Sequence, residues 1–199
     1  MTDSRTRTVP RRSWRSLGTL PVVAAVLTAL NGLFILLVAF GNITDYSTNQ
    51  AFVQHVLSMD TTNFGGTPGQ GLDPDVMWHA IADPVLQNIG YVLIILWESA
   101  AGVILAVGFG YWIAERGRGY RTARALSTIG LLMIAVLFMG GFIAIGGEWF
   151  QMWRSAAWNG EDAALRSAIL AVASLVFVHL PSRHWHPDDA PAADPAARV

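Results

Sequence analysis

Four stretches of this chain are long and apolar enough to cross a bilayer, and no other feature restricts its fold as much. They run roughly from Leu20 to Gly41, Ile89 to Ile113, Ala125 to Gly147 and Ala163 to Leu180, the last being the shortest. A helix that spans the hydrocarbon needs about 20 predominantly apolar residues. The rest of the composition agrees: charged residues make up 14% of the chain, against about 25% in a soluble domain. The expected fold is all-α: a polytopic membrane protein, a four-transmembrane-helix bundle over residues 20–180. The first span resembles a signal peptide in position only. Its apolar run is about twice a usual signal core and no A-x-A site follows, so a retained helix is expected.

Arginine placement orients the spans. Arg5, Arg7, Arg11, Arg12 and Arg15 precede the first, and Arg116, Arg118, Arg121 and Arg124 separate the second from the third. The loop 42–88 has no arginine but carries Asp45, Asp60, Asp73, Asp75 and Asp83. Basic residues stay on the cytoplasmic side. The basic N-terminus (1–19), the second loop and the tail (181–199) are therefore expected in the cytoplasm, with the protein in a bacterial inner membrane. The proline-, alanine- and aspartate-rich tail is expected to be disordered. There is no cysteine, which excludes disulfides, thiolate metal sites and cysteine nucleophiles. A net charge of -1 gives no reason to expect nucleic acid.

The loop 42–88 is too long for a plain connection. In "STNQAFVQHVLSMD", Phe52, Val53, Val56, Leu57 and Met59 recur at helical spacing, which predicts a short amphipathic helix on the membrane. "NFGGTPGQG" reads as a turn region. "DPDVMWHAI" predicts a helix capped by Asp73 with Pro74 at its first position, and Asp83 and Pro84 repeat that signal before the second span. The third loop, "GGEWFQMWRSAAWNGED", places Trp149, Trp153 and Trp158 near a membrane boundary, as an aromatic belt would. These short helices and loops are expected to form an extracytoplasmic cap.

One charged residue, Glu98, interrupts the second span. It lies about ten residues from the outer end, near 15 Å deep at about 1.5 Å per residue. Glu98, Gly102, Ala106 and Gly110 form one stripe at four-residue steps, and small residues at that spacing admit a second helix. Glu98 is thus expected to face the bundle, in a polar layer with Asn31 and Ser174. An isolated ionised carboxylate is very costly there, so the neutral form is expected unless water or a cation reaches it. Three roles remain open: a neutral carboxyl hydrogen-bonded to Asn31 or Ser174 that fixes helix register, a proton or cation site, or a contact with a partner subunit. Gly140 and Ala144 in "MGGFIAIGG" share the close-contact spacing, with a flexible break as the alternative.

No cofactor is expected. A bis-histidine haem needs two histidines facing each other within the bundle, and only His179 lies in a span. His55, Asp60, His79 and Glu148 share the outer face without tight ligand spacing, so ordinary interfacial residues are expected there rather than a metal. "HWH" in the tail reads as solvated, with a weak metal chelator as the alternative. Neither Ser58 nor Ser174 has an adjacent base or an elbow motif, and no Walker or dinucleotide motif occurs.

"NQAFVQHVLSMDTT" (Asn49 to Thr62) and "GGEWFQMWRSAAWNG" (Gly146 to Gly160), with the spans between them, resemble a bacterial family of predicted small integral membrane proteins, domain of unknown function 2165. The resemblance covers roughly Val22 to Leu180. It implies a four-helix membrane protein and no particular activity. It directs attention to the outer face: His55, Met59, Asp60, Glu148, Trp149, Trp153, Trp158 and Asn159, where the two stretches are expected to pack on each other. Three functions follow as expectations. The first is a non-enzymatic accessory or scaffold subunit that binds another membrane protein or a second copy through small-residue faces. The second is a proton-coupled transporter or ion conduit using Glu98. The third is a redox or lipid-modifying enzyme subunit with an outer-face site.

Overall fold

The computed structural model describes residues 17–185, and its described residues contain helices and no strands. The basic arginines up to Arg15, and His186, lie outside the described residues. Five α-helices follow in order: α1 (Leu20–Thr44), α2 (Tyr46–Ser58), α3 (Pro84–Ala114), α4 (Arg121–Ala135) and α5 (Glu161–His179). A π-helical segment, Val136–Trp149, continues α4 directly, so the third span runs from Arg121 to Trp149. Four spans of bilayer length result, which makes this an integral membrane bundle of all-helical class. Their outward faces carry large apolar side chains such as Leu30, Leu37, Leu93 and Leu170, each more than half exposed, as lipid contact requires.

Local chemistry explains most boundaries. Asp83 Oδ1 accepts from the Val85 N–H at 2.7 Å and the Leu86 N–H at 3.3 Å, with Pro84 at the first helical position. This cap starts α3 five residues before the expected span. The first turn of α4 is capped from across its loop, by Glu115 accepting from the Thr122 and Ala123 N–H groups at 3.2 and 3.1 Å. Partial burial works against the Glu115 carboxylate, but these hydrogen bonds outweigh it and hold its pKa below the ordinary value.

Two expected elements differ. The helix expected from Asp73 is only a 3₁₀ turn, Met77–His79. Asp73 Oδ1 accepts from Asp75 N at 3.1 Å, which is a local turn rather than a helix cap. Residues 80–83 then run extended towards Pro84, leaving too few residues to offset helix nucleation. Of the tail expected to be disordered, residues 181–185 are described and carry a short element, and 186–199 lie outside the described residues. Arg183–Trp185 forms a 3₁₀ turn, and Trp185 packs at 5.9 Å from Trp112 and 6.0 Å from Tyr120, with Arg124 4.7 Å over its ring.

Close approaches between spans occur at glycines. A Cβ at Gly32 would stand 3.0 Å from Leu105 Cβ, and one at Gly130 would stand 2.5 Å from Leu105 Cγ. Leu105 is therefore clasped between α1 and α4, fully buried. At one end of the bundle α2 lies across the spans. Its Val53, Tyr46 and Leu57 pack with Tyr91 and Ile95 of α3, so the amphipathic helix rests on protein.

Candidate functional site

The register between α1 and α3 decides where Glu98 sits. The missing Cβ of Gly32 faces Leu105, and that of Gly102 faces Ile35 and Leu36. Continuing that antiparallel pairing brings Glu98 level with the last turns of α1. There Asn42, two residues from the end of α1, donates from Nδ2 to Glu98 Oε2 at 2.7 Å. Asn49 of α2 donates to Asn42 Oδ1 at 2.6 Å, and the Tyr91 hydroxyl donates to the Asn42 carbonyl at 3.2 Å. Glu98 is 2% exposed and only one of its oxygens has a hydrogen bond.

This arrangement corrects the single polar layer. Asn31 and Ser174 bond each other at 2.9 Å and do not bond Glu98. Each is also tied to its own helix, Asn31 donating to the Leu27 carbonyl and Ser174 to that of Leu170. Glu98 stands midway along α3 and meets the last turn of α1, which runs through Asn42 to Thr44 rather than ending at Gly41. Asn42 could have been found from the sequence, because it is three helical turns from Asn31 on the same face. Asn49 and Tyr91 had no such signal.

Glu98 lines a cavity of about 300 Å³ beneath α2, reached by all four spans. Phe34, Phe52, Phe138 and Phe142 contribute aromatic walls, while Asn42 and Asn49 sit beside the carboxylate. Phe34 of α1, at 39%, Asn49 of α2 and Ala163 of α5 are the exposed residues of its lining. An adjoining space of about 200 Å³ has wholly apolar walls and shares Phe52, Val53, Ile94 and Phe142 with the first. The π-helical segment lines both, with Phe138 and Phe142 in the first and Leu137, Gly141 and Ile145 in the second. Its ladder closes from Phe150 N to Ile145 O, five residues back, at 2.9 Å. π-helical stretches are rare and favour functional sites.

The two stretches that carry the family resemblance do meet in the cap. The His55 ring stacks on Trp158 with centroids 4.6 Å apart, and His55 Nδ1 lies 2.9 Å from Asp60. Thr61 and Ser155 hydroxyls are 2.8 Å apart, and Met59 is fully buried. His79 stands apart from His55: its ring stacks on Trp149 at 4.3 Å and its Nδ1 lies 2.7 Å from the Trp149 carbonyl. Trp153 packs against Phe64 at 5.9 Å and under Arg154 at 5.2 Å. Asn159 Oδ1 accepts from Glu161 N at 3.0 Å, at the start of α5, and Glu148 is exposed. Arg154 also pairs with Asp73 at 3.1 Å. That hydrogen bond, with one from Asp75 N, holds the Asp73 carboxyl below its ordinary pKa. Among the described residues no three His, Asp or Glu side chains gather to hold a metal ion.

The small-residue stripe divides. Gly102 is buried against Leu36 and Ile35, within the bundle. Ala106, Gly110 and Ala144 are exposed, and no atom lies within 4 Å of a Cβ built at Gly110 or Gly140.

A family model described as a predicted small integral membrane protein, domain of unknown function 2165, matches residues 20–181. The chain belongs to that family. No curated protein and no solved structure matches it.

Proposed function

We propose that this member of the family is a non-enzymatic membrane component that holds an organic cation at Glu98, inside the bundle and beneath α2. The observation that carries the reading is a nearly fully buried carboxylate with one free oxygen, lining a cavity that has four phenylalanine walls. A buried carboxylate without a counter-charge is costly, and a cation in the cavity would remove that cost. Aromatic faces attract ammonium groups, most strongly when these are desolvated. A metal ion fits less well. Calcium or magnesium takes six or more oxygen ligands, and Asn42 Oδ1 is already engaged by Asn49. Asn49, Phe52 and Val53 of the first resemblance stretch and Gly160 of the second also line this cavity.

This is the cation-site reading of Glu98 in a sharper form. The test uses benzyltrimethylammonium and the purified protein, with binding measured by equilibrium dialysis. Wild type is expected to bind one equivalent, and Glu98→Gln to weaken binding at least tenfold. Equal binding by both proteins, or none by wild type, would sink the proposal. Coupling to protons is its finer version, and it predicts a flux in liposomes that Glu98→Gln abolishes. We place α2 and the cap outside the cytoplasm, on the support of Arg116, Arg118, Arg121 and Arg124 at the opposite end.

A second reading, an accessory subunit that docks another membrane protein or a second copy, has its own support. Ala106, Gly110 and Ala144 remain exposed and Gly140 has open space beside it, while the bundle makes its own close approaches at Gly32, Gly102, Gly108 and Gly130. Ala106→Leu with Ala144→Leu should dissociate any assembly seen in mild detergent without lowering thermal stability. An unchanged assembly would rule this surface out. The enzyme reading gains least, since His55 and His79 are each stacked on a tryptophan and engaged with an oxygen.

A further inference from the structure

We infer that the guest is a single-chain amphiphilic amine, with its ammonium at Glu98 and its alkyl chain in the adjoining apolar space. This inference rests on the cation reading above and adds the chain. The second space has a volume of about 200 Å³ and is lined by side chains such as Val56, Leu57, Leu137 and Ile145, with no charged group among its walls. A space this apolar offers water no hydrogen-bond partners and favours hydrocarbon. Phe52, Val53, Ile94 and Phe142 line both spaces, with the Phe52 and Phe142 ring centroids 6.2 Å apart where the two adjoin. Along α3, Gly90 on the far wall is eight residues from Glu98, or about 12 Å at 1.5 Å per residue.

The entry route fits the same molecule. Of the exposed lining residues, Phe34 lies within the long apolar helix α1, on a surface suited to lipid contact. An amphiphile already dissolved in the bilayer can reach it sideways. A small hydrophilic cation would have no use for the second space, and a fatty alcohol would leave Glu98 without a counter-charge. A chain with one terminal ammonium satisfies both spaces at once.

The two spaces can be blocked separately. A Cβ at Gly141 would meet only Leu137 Cδ1, at 3.7 Å, which is ordinary contact, so a larger side chain can grow into the apolar space without striking backbone. Gly90 offers the same opportunity, with only Leu57 Cδ1 at 3.7 Å.

The deciding experiment compares butylammonium, octylammonium and octanol on the full-length protein, referred to free aqueous concentration. Native mass spectrometry supplies the stoichiometry. Each methylene taken into the apolar space is expected to tighten binding about fourfold, so the four extra methylenes of octylammonium should make it bind roughly 250-fold tighter than butylammonium. Octanol should not compete. Gly141→Leu, or Gly90→Val in its place, should remove the chain-length gain and leave benzyltrimethylammonium binding within about twofold. Octylammonium binding no tighter than butylammonium, with benzyltrimethylammonium still bound through Glu98, would overturn the chain assignment and spare the cation reading. Loss of small-cation binding in both glycine variants, with folding retained, would also overturn the separate chain space. Failure of every cation to bind wild type would overturn both.

Discussion

At the end of the bundle away from α2, Trp112, Tyr120 and Trp185 pack on one another, with ring centroids between 5.2 and 6.0 Å apart. Polar groups there close on each other: Trp112 Nε1 and Thr28 Oγ1 both donate to Ser127 Oγ, at 2.9 and 3.0 Å. At the α2 end the same spans leave a cavity of about 300 Å³ and a carboxylate with an unsatisfied oxygen. One end thus carries the packing and the other holds unused volume and unused hydrogen-bonding capacity. Protein interiors are normally filled, so that asymmetry separates the part that stabilises the fold from the part that can accept a guest.

The comparison can be broken most forcefully at the packed end. Trp112→Ala should lower stability by about 3–5 kcal/mol, measured by unfolding in detergent, and should leave benzyltrimethylammonium affinity in the surviving folded fraction unchanged. Asn42→Ala comes next. It removes the donor to Glu98 and the acceptor of Asn49, and should cost about 1–3 kcal/mol in the same assay while weakening cation binding.

Gly130→Ala and Gly140→Ala sharpen the contrast on a single span. A Cβ at Gly130 meets Leu105 at 2.5 Å, whereas one at Gly140 meets nothing within 4 Å. The first should destabilise by about 1–3 kcal/mol. The second should be neutral or stabilise by up to about 1 kcal/mol, from helix propensity alone. Equal effects would mean that the two halves of the third span are packed alike.

The smallest effect belongs to the cap. Arg154 lowers the folded pKa of Asp73 below 3.8. The stabilisation is therefore present above the unfolded value and is lost as pH falls through the lower folded one. Asp73 is exposed and screened, so a local readout is needed. Proteolysis of the loop around Gly65–Gly71 should rise only below about pH 4 in wild type, and Asp73→Asn should show the faster rate at neutral pH. A pH-independent rate in wild type would show that this ion pair does not hold the loop.

The spans were legible because lipid imposes one requirement, sustained apolar length, which composition displays directly. Asp83 and Pro84 could be recognised as a helix start for a similar reason, because the cap chemistry is local to a few residues. The Asp73 helix failed because the same local signal lacks the downstream length to propagate. Glu98 was conspicuous as a lone carboxylate, but its partner was misplaced. Choosing among Asn31, Asn42 and Ser174 depends on the sliding register of α1 against α3, and that register is set by Gly32 and Gly102 meeting Leu105 and Leu36. The π-helical winding was likewise hidden. Nothing in Val136–Trp149 distinguishes it from an α-helix except glycines that suit either.

From sequence alone followed the membrane class, the number of spans and the presence of a carboxylate within the second apolar span, since each depends on residue type and run length. Only the tertiary structure decided that Glu98 answers Asn42, that it lies under α2 and that it faces an aromatic cavity. Those facts depend on how four helices slide and rotate against one another. That choice is made by side-chain fit between residues far apart in the chain, which no local pattern encodes.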